Sequence, residues 1–199
     1  MGPPTRSAII NPGSREVKKL DARDLSLFAA FASLYVVVNV VQMLSIGNPT
    51  VYGPVQLRIA DCLIALSALL GWPVVAGVTV GCFLTNAYYF LGTVDVVFGP
   101  IANLIAASII LVLRKRRLLA CVVGALPIGI IVGGYLWLFF SSPDIFGLSL
   151  PSWAAMIGSI TISSLIAIAG IGYSLLTILS RSSVIEPLKS RGLKVLAKG

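Results

Sequence analysis

Five stretches of this chain hold no Asp, Glu, Lys or Arg: residues 25–57, 62–94, 96–113, 118–143 and 145–180. A helix needs roughly 20 apolar residues to cross a bilayer, so every stretch can span one. Charge segregated in this way excludes an ordinary soluble domain. With 57% hydrophobic and 11% charged residues and a mean hydropathy of +0.98, the 199-residue chain lies outside globular usage. The second stretch is about twice the length of one span, and near its middle Gly71-Trp72-Pro73 offers a helix stop followed by a new start. The expectation is an all-α, multi-pass integral membrane protein with six transmembrane helices, at about 25–46, 58–71, 73–91, 95–113, 118–140 and 152–180.

The basic residues orient it. If the N-terminus is cytoplasmic, Arg6, Arg15, Lys18, Lys19 and Arg23 lie inside, as do Arg114-Lys115-Arg116-Arg117, Arg181 and the C-terminal tail. Arg58 alone then lies outside. Cytoplasmic loops carry such a bias, so both termini are expected inside. Residues 1–24 read as a cytoplasmic leader, 25–181 as one membrane domain and 182–199 as a basic cytoplasmic tail. The leader has no small-residue cleavage pattern after an apolar run, which reads against a signal peptide. Membrane topology explains the net charge of +8 without nucleic acid. A lipid-phosphate or nucleic-acid patch is the competing reading of the Arg114–Arg117 run; a topology anchor is the simpler one. Cys62, Cys82 and Cys121 are scattered through apolar runs, with neither metal-ligand nor disulfide spacing, and read as membrane-core packing. Trp72, Trp137 and Trp153 fall near expected interfaces, where an aromatic belt accounts for them.

In this topology Arg58 and Asp61 open the second helix at the outer side, Asp95 opens the fourth there, and Asn86 lies in the outer half of the third. Arg58 and Asp61 are three apart and share a helix face, and Gln56 joins them if the preceding segment is extended. Asn39 and Gln42 lie in the outer half of the first helix, on the same side of the membrane. Ionisable groups at membrane depth cost several kcal/mol unless they are paired or line a wet cavity, so they are candidate solute contacts. The alternative is an Arg58–Asp61 ion pair that only ties down a loop. The residue types suit a polar, planar, partly cationic solute: carboxylates accept from N–H groups, Arg and Gln donate to a carbonyl, and Tyr52, Tyr88, Tyr89 or Tyr135 offers a stacking surface. A guanine-like edge satisfies such a set. The tyrosines serve equally as interface anchors.

In "SLFAAFASLYVVV", Ala29 and Ser33, flanked by Ser26 and Ala30, form small-xxx-small pairs that let another helix approach closely. That partner is either another helix of the same bundle or another subunit.

"LYVVVNVV", "YGPVQLRIADCLIAL" and "GCFLTNAYYFLGTVDVVFGPIANLIAA" resemble the QueT family, substrate-binding S components of energy-coupling factor transporters. The resemblance covers the first four helices. It implies the six-helix S-component bundle, with Gln56, Arg58 and Asp61 in the family's VQxRxxEAL-like segment, Asp61 standing where glutamate is usual, and Asn86 and Asp95 in the segments that follow. Late in the sixth helix the family pattern has a glutamate some eight residues before Gly-x-Pro; this chain has Ser163 or Ser164, then Gly172-Tyr173-Ser174. The resemblance further implies a solute related to deazaguanine precursors of queuosine, a membrane-embedded T component and two cytoplasmic ATPases that supply the energy. No phosphate-cradling GxxxxGK[ST] loop, no histidine and no catalytic or metal-ligand constellation stands in the sequence, so neither enzyme nor cofactor is expected. A non-transporting membrane scaffold with structural outer charges is the alternative from another class.

Overall fold

The structure, a computed structural model, describes residues 21–46, 57–141, 150–190, 192 and 194–196. Regular structure among the described residues is helical: α1 (Ala22–Ile46), α2 (Ile59–Leu70), α3 (Trp72–Tyr89), α4 (Thr93–Val112), α5 (Arg117–Leu136), α6 (Ser152–Leu179) and α7 (Ser182–Ser190). Four of these, α1, α4, α5 and α6, are long and apolar enough to cross a membrane. Their lipid-facing sides keep large apolar residues exposed, among them Leu34, Val37, Val41, Phe98, Leu126 and Ile130. The chain is a multi-pass membrane protein.

The six-span expectation needs correction at the second helix. From Ile59 to Leu66 the backbone winds as a 3-10 helix, and only Ser67–Leu70 forms an α turn. At about 2.0 and 1.5 Å of rise per residue these 12 residues cover about 22 Å, short of a hydrocarbon layer of about 30 Å. Its surroundings explain the brevity. Every residue from Ala60 to Leu69 is buried, so α2 is a central element inside the bundle, packed on α1, α3, α4 and α6. The expected stop and restart is present: Gly71 has φ of 78°, a conformation open to glycine, and α3 starts at once with Pro73 in its first turn.

Around α2, α1 packs on α3, α3 on α4, α4 on α5 and α5 on α6. The close α1–α3 contact comes from α3. A Cβ added at Gly77 would stand 2.8 Å from the Phe28 carbonyl oxygen, and one at Gly81 2.7 Å from Tyr35 Cβ. These two glycines, one helical turn apart, make the small-xxx-small groove that seats Phe31, Ala32 and Tyr35 of α1. Ser26, Ala29, Ala30 and Ser33 are exposed instead, on the other side of α1.

The bundle has two distinct ends. Asp24 of α1, Trp72 of α3, Arg114 and Lys115 after α4 and Lys194 of the C-terminal segment meet around one cavity, which marks the basic end. The close of α3, the start of α4 and the close of α5 meet at the far end, where Gly92 lies against Phe139. Within α6, residues Leu165–Gly172 wind as a π-helix, and this stretch packs on the 3-10 part of α2.

Candidate functional site

The polar residues expected to line one outer site fall into two adjoining groups. The first is at mid-depth. Asp61 enters from the first turn of α2 and accepts a hydrogen bond from Tyr35 Oη at 2.6 Å; Tyr35 Oη in turn accepts from Asn103 Nδ2 at 2.9 Å. Asn103 sits near the middle of α4, and all three side chains are at most 4% exposed. The chain of donors ends on a carboxylate, so its last bond is charge-assisted and short, and it ties α1, α2 and α4 together.

Arg58, the residue before α2, is half-buried beside this group. Its Nη1 reaches Cys82 Sγ at 3.8 Å, a weak contact for a guanidinium. The Arg58–Asp61 ion pair of the alternative reading is not closed: among the described residues the ion pairs shorter than 4.0 Å are those of Lys194 with Asp21 and Asp24. Gln42 fixes the backbone on both sides of Arg58, donating from Nε2 to the Leu57 oxygen at 2.6 Å and accepting from the Ile59 N–H at 2.9 Å. Asn39 is buried, and its Nδ2 donates back to the Tyr35 carbonyl at 2.9 Å within its own helix.

The second group lies toward the far end. Asp95, in the first turn of α4, accepts from Tyr135 Oη at 2.7 Å, and its main-chain oxygen accepts from Asn86 Nδ2 at 3.0 Å. Gly99 makes room for this, because a Cβ there would collide with the Asn86 amide. Cys82, one turn before Asn86 on α3, is the link between the groups, since it also meets Arg58. Tyr88 is 79% exposed and stacks edge-on against Tyr89, so it faces away from both groups. Gln56 and Tyr52 lie outside the described residues.

Between α2, α4, α5 and α6 the first group borders a cavity of about 20 Å³, lined by Arg58, Asp61, Asn103, Ser163 and Ser164 with Ile128, Val132 and Ile160. That volume holds about one water. Ser163 Oγ donates to the Ile160 carbonyl at 2.9 Å, as a serine inside a helix commonly does. Ser164 is 3% exposed, and its hydroxyl has no hydrogen-bond partner among the described residues. Directly after it the π-helix begins, a feature frequent where a helix bends its geometry around a site.

The structure puts Arg58 and Asp61 on one cavity beside Tyr35 and Asn103, two residues that the sequence reading did not single out and whose hydrogen-bond chain ends on Asp61. The signal was present. Tyr35 and Asn39 are four apart, on one helix face of an apolar span, and Asn103 is a lone amide in the charge-free run 96–113.

A family model described as the QueT transporter matches residues 25–181. No curated protein and no solved structure matches the chain.

Proposed function

The chain belongs to the QueT transporter family, and from that premise we propose that it is the solute-binding S component of an energy-coupling factor importer, taking a deazaguanine related to queuosine precursors. The observation that supports this most is Arg58: a guanidinium half-buried at membrane depth, without a carboxylate partner among the described residues, beside an unpartnered serine hydroxyl and a buried carboxylate. Asp61 and Asp95 lie within electrostatic reach of this cation but neither closes a short ion pair with it, which leaves its N–H groups for a ligand to complete. A planar solute with a carbonyl next to N–H groups meets that need, its oxygen accepting from Arg58 and Ser164 and its N–H groups donating to Asp61 and to the Asn103 carbonyl oxygen.

The cavity as it stands is far too small for a ring, so α6 and α2 must part for the solute to enter. The second group, Asp95 with Tyr135 and Asn86, supports α4 at the far end and borders the route in. In the same reading both termini are cytoplasmic, Trp72–Tyr89 is a further pass beside the four long spans, and Ile59–Leu70 is the short helix buried among them in an S-component-like bundle. The exposed strip of Ser26, Ala29, Ala30 and Ser33 receives the T component, which carries the two ATPases.

Asp61 and Asp95 each accept from a tyrosine hydroxyl, and this favours the competing reading of a non-transporting scaffold. Binding of 7-deazaguanine, 7-cyano-7-deazaguanine and 7-aminomethyl-7-deazaguanine to the purified chain decides between them. Saturable binding is expected, weakened by Asp61→Asn through loss of a charge-assisted bond of about 1.5–3 kcal/mol, roughly 10- to 150-fold. A smaller loss is expected for Asp95→Asn. Absence of binding, or affinity unchanged in both variants, returns the charges to a structural role.

A further inference from the structure

At the basic end a second cavity of about 510 Å³ opens between the start of α3, the end of α4 and the C-terminal segment. Its wall is apolar: Leu70, Gly71 and Pro73 on one side, Leu111 and Val112 on the other, and Leu196 across from them. Val112 is 78% exposed and Trp72 is 63% exposed, so the apolar wall continues onto the lipid-facing surface with an indole at its edge. Tryptophan at that level is the ordinary mark of the membrane interface.

The charges at the rim are of two kinds. Lys194 is occupied: its Nζ meets Asp21 at 2.9 Å and Asp24 at 3.3 Å, and the Leu196 N–H bonds the Leu69 oxygen at 2.9 Å, so the C-terminal segment is pinned as a wall. Arg114 and Lys115 are exposed and have no hydrogen bond or ion pair among the described residues. Two unspent cations over an apolar cleft at the interface ask for a ligand with an anionic head and apolar tails.

We propose that this cleft is a binding site for an anionic phospholipid, its phosphate on Arg114 and Lys115 and its chains along Leu70, Pro73, Leu111 and Val112. A free phosphate uses the cations alone and leaves the apolar wall bare; a lipid uses both. The basic-residue bias puts this end in the cytoplasmic leaflet, where anionic lipids gather and basic pockets between helices take their head groups.

The test uses the full chain in dodecyl maltoside, titrated with a spin-labelled phosphatidylglycerol and, separately, a spin-labelled phosphatidylcholine, with native mass spectrometry to count retained lipid. Arg114→Gln and Lys115→Gln are expected to weaken phosphatidylglycerol about fivefold each, the weight of one basic side chain at a membrane surface. Trp72→Ala is expected to weaken both lipids. Arg116→Gln, in the same basic run but not on the cleft, is the positional control and should change nothing. Equal loss in Arg116→Gln makes the attraction a diffuse one and overturns the site. Displacement of phosphatidylglycerol by millimolar inorganic phosphate overturns the lipid, as does equal affinity for phosphatidylcholine. Native-like thermal unfolding of each variant shows that any loss of binding is not a loss of fold.

Discussion

Replacing Tyr35 by Phe removes one oxygen atom and leaves the ring, so it isolates the hydrogen-bond chain at the centre of the bundle. That hydroxyl is fully buried, donates to Asp61 at 2.6 Å and accepts from Asn103 at 2.9 Å. A hydrogen bond to a charged group contributes about 1.5–3 kcal/mol and one between neutral groups about 1 kcal/mol, giving a gross loss of about 2.5–4 kcal/mol. Two effects reduce it. Side-chain hydrogen bonds between membrane helices measure lower, about 0.6 kcal/mol on average with a ceiling near 1.7. The Asn103 amide, freed from Tyr35, can also turn its N–H toward the Asp61 carboxylate. The net expectation is about 2 kcal/mol, a factor of about 30 in the folding equilibrium. Unfolding by sodium dodecyl sulfate from dodecyl maltoside micelles, followed by far-ultraviolet circular dichroism, measures it. Tyr173→Phe is the comparator, because Tyr173 is half-buried and makes no side-chain hydrogen bond among the described residues. If Tyr35→Phe unfolds within about 0.5 kcal/mol of wild type, the usual scatter of harmless changes, the Asn103–Tyr35–Asp61 chain does not hold the helices together.

The two small-residue strips should respond oppositely to bulk. Gly81→Leu must push Tyr35 aside and should abolish folded expression, whereas Ala29→Trp and Ser33→Trp, on exposed sites, should fold, bind solute and fail to co-purify with the T component and ATPases; normal assembly of both tryptophan variants refutes the docking role. Because Cys62, Cys82 and Cys121 are buried, they can stay in place during accessibility labelling. A cysteine at Phe90, at the far end, should react with an impermeant maleimide added outside intact cells and one at Lys115 should not; the reverse pattern inverts the orientation. The C-terminal segment should stay docked from about pH 5 to 9. Hydrogen bonding to Lys194 lowers the Asp21 carboxyl below its ordinary 3.8, so its contribution is present above 3.8 and is lost as pH falls through the lowered value. The same bond raises Lys194 above 10.5, so that contribution is complete below 10.5 and is lost as pH climbs through the raised value. A fluorine label on Val195→Cys reads the docking, and a transition centred near pH 7 contradicts this pairing.

How much of this was legible beforehand differed between elements for physical reasons. Charge-free runs fix spans because lipid tolerates no alternative, and α1, α4, α5 and α6 lie within a few residues of where the runs put them. α2 was misjudged because a helix buried by protein and one buried by lipid are equally apolar; nothing in IADCLIALSALL says which surrounds it. Arg58 and Asp61 stood out because charge is rare at depth. Tyr35 and Asn103 did not, since neutral polar residues inside a span are common and only their meeting across three helices gives them a task. The groove on α3 was written plainly as Gly77 and Gly81, but the equally small strip on α1 drew the attention, and spacing alone cannot say which of two such strips faces inward.

The 3-10 winding of α2 also sets a height. Eight residues wound as α would span about 12 Å; wound as 3-10 they span about 16 Å. The base of this segment is fixed at Gly71, where the chain turns back, so the longer rise acts as a spacer that lifts Arg58 about 4 Å and Asp61 about 3 Å. At that height they meet Tyr35, Asn103 and Cys82. Residue count and pitch together make α2 a ruler, and they set the level at which Arg58 and Asp61 sit among the longer helices.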